Sequence, residues 1–161
     1  MSSPAFFSPS SLYICTTPLP SEGKFHWAFV LIDDKGEATS HQWTALDPRD
    51  IKGEEGYVTE TYSASATSRG QGVILGYFKI RAYHPKHVLR FHDVCAATFR
   101  GMGYPTVDEN RKNEITCRTW VTKVLRETIE TAVTKRSTEA SNEYASCFLW
   151  GRKFEMVVEE I

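Results

Sequence analysis

Along the first half of the chain, apolar residues come in short bursts separated by turn-forming residues, and each burst has the length of a strand. "SLYICTT" alternates weakly and predicts a first strand, closed by the Pro- and Gly-containing "PLPSEG". "FHWAFVLID" is the clearest strand, rich in aromatic and β-branched residues. "DDKG" then predicts a hairpin turn, because Asp and Gly accept left-handed backbone. "ATSHQWTAL" returns as its partner. Beyond the polar loop "DPRDIKGEEG", "YVTETYSAS" alternates with period two. "ATSRGQG" is a second loop, and "VILGYFKIRAY" predicts another strand. The expected result is an antiparallel meander of four or five strands.

The period then changes. "PKHVLRFHDVCAATFRGMG" sets Val88, Phe91, Val94, Cys95, Thr98 and Phe99 on one side of a helix, with Pro85 in its first turn and Gly101 and Gly103 at its end. "YPTVDENRKNE" reads as a charged connector, its "ENRKNE" a solvated loop. "ITCRTWVTKVLRETIETAVTK" is the strongest helix. Cys117, Trp120, Val121, Val124, Thr128 and Ala132 form one stripe, with Leu125 and Ile129 beside it. "SNEYASCFLWGRKFEMVVEEI" is expected to be a last helix followed by an apolar tail, or a helix alone. Strands followed by helices imply an α+β fold: an antiparallel sheet of four to six strands packed against two or three helices. Residues 1–10, rich in Ser and Pro, read as a flexible arm, and residues 11–161 as a single domain.

Composition narrows the functional classes. A formal net charge of −1 gives no global field toward nucleic acid or an anionic membrane. No apolar run approaches the roughly 20 residues of a membrane-spanning helix. The first residues lack the charged region of a signal peptide. The four cysteines, Cys15, Cys95, Cys117 and Cys147, form no CxxC pair, so free thiols in a reducing compartment, the cytoplasm, are expected. His84, His87 and His92 lack a completing carboxylate or thiol, and no metal or cofactor is expected. "RGQG" and "RGMG" lack the lysine and setting of a phosphate loop.

Candidate chemistry rests on three residues. Cys117 opens the long helix, where unpaired N–H groups and the partial positive charge of the helix end favour a thiolate. There a cysteine pKa falls from about 8.5 to between about 3.5 and 7.5. Arg118 adds positive charge. An imidazole nearby would accept the thiol proton and deliver it to a leaving group. His26 begins an apolar strand, and His41 lies across the hairpin. With the turn centred on Lys35 and Gly36, the two histidines fall at comparable heights, about 5 Å apart, so that one would orient the other. Alternation turns Trp27 and Trp43 away from these histidines, into the core. Cys15, Cys95 and Cys147 read as small apolar core residues.

The arrangement "HWAFVLID … SH … TCRTWV" resembles the permuted papain-like thiol enzymes. It is most similar to the lecithin:retinol acyltransferase and H-Rev phospholipase/acyltransferase group, relatives of the NlpC-type peptidases. In order and spacing the resemblance covers about residues 24–130, and in identity only these short segments. It implies a papain-like α+β fold with Cys117 as nucleophile, His26 as general base and His41 as the second histidine. The expected activity is cysteine-dependent acyl transfer, or amide or ester hydrolysis, on a small-molecule or acyl substrate. Two other readings stay open: a tailoring protein of a biosynthetic pathway that binds a small molecule and catalyses a cyclisation or elimination, and a non-catalytic interaction module in which the three residues are core.

Overall fold

The computed structural model describes residues 7–19, 23–63, 74–128, 141–142 and 157–161. Six strands form one sheet: β1 (Ser11–Pro18), β2 (Phe25–Ile32), β3 (Ala38–Ala45), β4 (Glu55–Thr61), β5 (Gly76–Lys79) and β6 (Val157–Glu160). Their order is β4-β3-β2-β1-β5-β6. The first five pair antiparallel, and β6 runs parallel to β5. Among the described residues, three α-helices with given bounds follow β5: α1 (Val88–Ala97), α2 (Val107–Lys112) and α3 (Cys117–Thr128). The fold is α+β, as the change of period requires. Among the described residues, no helix is long and apolar enough to cross a membrane.

The β2–β3 hairpin is closed by local chemistry. The Asp33 carboxylate accepts the backbone N–H groups of Lys35 at 2.9 Å and Glu37 at 2.8 Å. Gly36 takes the left-handed conformation, φ +84°, that a side chain would resist. The sheet then buries both faces. Phe25, Trp27, Phe29 and Leu31 point to α1 and α3 and pack with Phe91, Trp120, Val121 and Val124. Val30 and Ile32 point the other way, into a second cluster with Phe7, Tyr13, Cys15 and Tyr77. Burial of both faces is why β2 is a continuous apolar run rather than an alternation. Of the expected N-terminal arm, Phe7 packs against Tyr13 and Tyr77, and the Ser8 N–H donates to the Tyr13 hydroxyl.

Three expectations change. The first helix begins as a 3-10 turn at Pro85–His87 and ends at Ala97, before the glycines. The "connector" contains α2, and its "solvated loop" is anchored: Asn110 is fully buried. Val157–Glu160, expected as part of an apolar tail or helix, form a strand on the open edge of β5, and the expected last helix lies almost wholly outside the described residues. Ile129, Ala132 and Cys147 lie outside the described residues.

One irregularity positions the site. β2 and β3 pair from Ile32↔Ala38 only as far as Ala28↔Gln42. Beyond that point Trp43–Ala45 pair with β4, and Phe25–Trp27 with β1. The sheet therefore forks, and the β3-facing backbone groups at the start of β2 need another partner.

Phe29 is fully buried between Phe91 and Trp120. Phe29→Ala is expected to remove about 3–5 kcal/mol of stability in urea denaturation. Leu89→Ala, at a side chain 75% exposed, is expected to change it by less than about 0.5 kcal/mol.

Candidate active site

The fork between β2 and β3 is filled by the first residue of α3. The Lys24 carbonyl faces β1, where it accepts the Leu19 N–H. Strand alternation therefore aims the backbone groups of Phe25 and Trp27 at the side that β3 has left. Cys117 Sγ lies 3.8 Å from the Phe25 carbonyl oxygen and takes a hydrogen bond from the Trp27 N–H. As a thiol it can donate to the carbonyl, and as a thiolate it can accept from the amide.

Two local motifs deliver Cys117 there. α2 ends in a Schellman closure: the Ile115 N–H donates to the Asn110 carbonyl at 2.9 Å, and the Glu114 N–H to the Arg111 carbonyl at 3.3 Å. Glu114 occupies the left-handed position, φ +58°, where a glycine is usual. Thr116 and Thr119 then cap α3 reciprocally. The Thr119 N–H donates to Thr116 Oγ1 at 3.0 Å, and the Thr116 N–H donates to Thr119 Oγ1 at 2.9 Å. This satisfies the third N–H of the helix. The Cys117 N–H, in the first turn, has no helical carbonyl four residues back. Arg118 lies over Trp27, its guanidinium carbon 5.9 Å from the ring centroid.

His26 stands beside the sulfur. Its imidazole is near enough to the Cys117 side chain for each to shift the other's protonation, and its Nε2 lies 2.8 Å from Gln42 Oε1. A glutamine carbonyl oxygen only accepts, so Nε2 carries a proton and Nδ1 is left for the sulfur. Gln42 is itself buried, and its Nε2 lies 3.5 Å from Glu60 Oε1.

These contacts set the protonation states. Burial pushes the Cys117 thiol pKa up. The hydrogen bond and charge of His26, the Trp27 N–H and the positive charge of Arg111 outweigh it, and the pKa lies below the ordinary thiol value. Burial likewise disfavours charged His26. The sulfur, Gln42 and the negative charge of Glu55 more than compensate, and its pKa is raised. The pair thus favours thiolate and imidazolium. The other buried cysteines behave oppositely: burial pushes Cys15 up to about 12 and also raises Cys95.

Cys117 and His26 therefore meet as the sequence implied, but His41 does not join them. His41 is opposite Phe29 on the ladder, so its side chain projects from the face opposite that of His26. It is 1% exposed, with Nδ1 2.7 Å from the Tyr57 hydroxyl and its ring against Phe91 and His92. Burial, helped by charge on His92, lowers its pKa to about 3. Its role is structural packing in the neutral form. Gln42 holds the orienting position instead. The register signals this: Gln42 pairs with Ala28 and is the diagonal neighbour of His26 on one face. Trp27 and Trp43 are core residues, as alternation required. Gly101, Met102, Gly103, Tyr104, Asn113 and Ile115 line an open depression of about 490 Å³, which neither Cys117 nor His26 lines. Among the described residues, no group of three or more His, Cys, Asp or Glu side chains is arranged to hold a metal.

No family model, curated protein or solved structure matches this chain.

Gln42→Ala removes a hydrogen bond to a charged group, worth about 1.5–3 kcal/mol. Iodoacetamide alkylation of Cys117 at pH 6 should slow about tenfold or more, whereas His41→Phe should leave the rate near wild type. His41 also makes the fold acid-sensitive. The unfolded chain binds a proton near pH 6.5 that folded His41 refuses until about pH 3, so stability rises with pH across this window and falls as pH drops through it. Urea midpoints between pH 6.5 and 4 should fall in wild type and fall less in His41→Phe.

Proposed function

We propose that the protein is a thiol enzyme of permuted papain-like type, catalysing acyl transfer or amide or ester hydrolysis on a small-molecule or acyl substrate. The observation that carries this reading is the series Cys117–His26–Gln42, in which the sulfur at the mouth of α3 and the strand imidazole act on each other's protonation and Gln42 holds the ring at 2.8 Å. The order of elements supports it too: a histidine strand comes first and a cysteine-opened helix much later.

The steps follow from the groups present. The Cys117 thiolate attacks the substrate carbonyl carbon, and the carbonyl π electrons move to oxygen. The resulting oxyanion lies at the positive end of α3, where the Cys117 N–H is available to it. Collapse breaks the bond to the leaving amine or alcohol. His26 imidazolium gives that group its proton and becomes neutral. The thioester left on Cys117 is then attacked by water or an acceptor hydroxyl or amine, whose proton His26 takes back. Expulsion of the thiolate closes the cycle. Gln42 holds the ring so that the same nitrogen faces the sulfur throughout. These steps use only side chains and backbone of this chain. A reactive thiolate of this kind suits a reducing compartment, and we assign the protein to the cytoplasm.

Intact-mass analysis after incubation with p-nitrophenyl esters of short acids is expected to show one acyl group on wild type and none on Cys117→Ala. His26→Ala should slow acylation by about 10²–10⁴-fold. Absence of an adduct, together with alkylation at pH 6 no faster than that of a free thiol, would overturn the proposal.

A further inference from the structure

Around the fork the sheet is held open by an ion pair whose parts come from distant points in the chain. Glu55 is the first residue of β4, paired with Ala45 where β3 has already left β2. Its carboxylate is 6% exposed. Arg111 of α2 grips it with two prongs, Nη1 to Oε2 at 3.0 Å and Nη2 to Oε1 at 2.8 Å. Asn110 Nδ2 adds a third bond to Oε2 at 2.9 Å. Arg111 Nη1 also donates to the Ile115 carbonyl at 2.8 Å, two residues before Cys117. A two-pronged pair on a buried carboxylate fixes direction as well as distance. One guanidinium therefore ties three parts together: the strand that left the fork, the helix that follows it, and the chain leading to the nucleophile.

The charges are also graded toward the two reacting groups. Arg111 acts on the sulfur and Glu55 on the imidazole. The other charged groups around the pair among the described residues are Glu60 of β4, reached through Gln42, and Arg118 of α3, over Trp27. Among the described residues, Glu55 and Arg111 couple both to the centre and to each other.

We propose that Glu55 and Arg111 are positioning residues of the Cys117–His26 centre: the guanidinium fork fixes the approach to Cys117 through the Ile115 carbonyl, and the two opposite charges balance the ion pair of thiolate and imidazolium. This rests on the reading of Cys117 as an activated nucleophile. It gives the "ENRKNE" segment, through Arg111, a part in positioning the centre.

The two charges must act with opposite sign, which a merely structural role would not produce. In the acid limb of a reactivity profile His26 is already protonated, so the limb reports the thiol. Removing the positive charge makes the thiolate harder to form, and removing the negative charge makes it easier. The experiment is the iodoacetamide alkylation rate of Cys117 from pH 4 to 9 in the full chain, read by intact mass, with Cys117→Ala as control. The acid-limb midpoint should rise by about one pH unit in Arg111→Met and fall by up to about one unit in Glu55→Gln. Arg111→Lys, which keeps the charge, should lie closer to wild type than Arg111→Met. Gln is isosteric with Glu, and its one amide oxygen can still accept from Asn110 Nδ2 and Arg111 Nη1, although the prong from Nη2 is lost. The sign in Glu55→Gln therefore decides the matter even if Arg111→Met does not fold. Midpoints that stay at the wild-type value, or move in the same direction in both variants, overturn the proposal. Wild type reacting no faster than a free thiol at pH 6 would instead overturn the reading of Cys117, before any variant is compared.

Discussion

A strand cannot leave its neighbour without stranding backbone groups, and that constraint organises this protein. Where β3 turns from β2 to stay with β4, the Phe25 carbonyl and the Trp27 N–H lose their ladder partners. A buried amide left alone costs about 1–3 kcal/mol. Here the sulfur of Cys117 occupies the vacated edge. Cys117 thus completes a sheet hydrogen-bond position, which fixes its place more firmly than a loop would. The same amide that needs a partner is one that stabilises a thiolate.

The polar groups of the site are arranged in depth. Cys117 and His26 sit innermost, Gln42 fixes the ring, and Glu55, Asn110 and Arg111 hold the walls of the fork. Charged groups in a poorly solvated place are tolerated only when each is paired and its remaining hydrogen-bonding capacity is used. Glu55 meets this with three donor contacts to its two oxygens, and His26 with a partner on either side. The aromatic core beneath, Phe29, Phe91 and Trp120, seats α3 on β2 at a fixed height. The helix mouth can therefore reach the fork without adjustment.

His41 shows how the same residue type takes an opposite role one face away. Its imidazole lies among Phe91, Tyr57 and His92 in the core between the sheet and α1, where a proton would be costly. His26 lies beside a thiolate and a carboxylate, where a proton is stabilised. Strand parity alone separates the two environments.

The meeting of a strand histidine with a helix-opening cysteine was implied by a resemblance of short motifs. The chain's own pattern settled the α+β class, the hairpin at Asp33–Gly36 and the core stripe of α3. These depend on period, turn chemistry and helix ends, all local properties. It misread the orienting residue, because the register of β2 against β3 decides whether His41 or Gln42 shares a face with His26. A shift of one residue exchanges those faces, and composition does not encode it. It also passed over α2, a six-residue helix whose closing position holds Glu114 instead of glycine, and the final strand, which forms only because β5 leaves an edge free. Arg111 and Glu55 read as surface charges for the same reason. Their partnership exists only after β4, α2 and the fork have been brought together, and tertiary contact alone turns them from solvated side chains into the frame around Cys117.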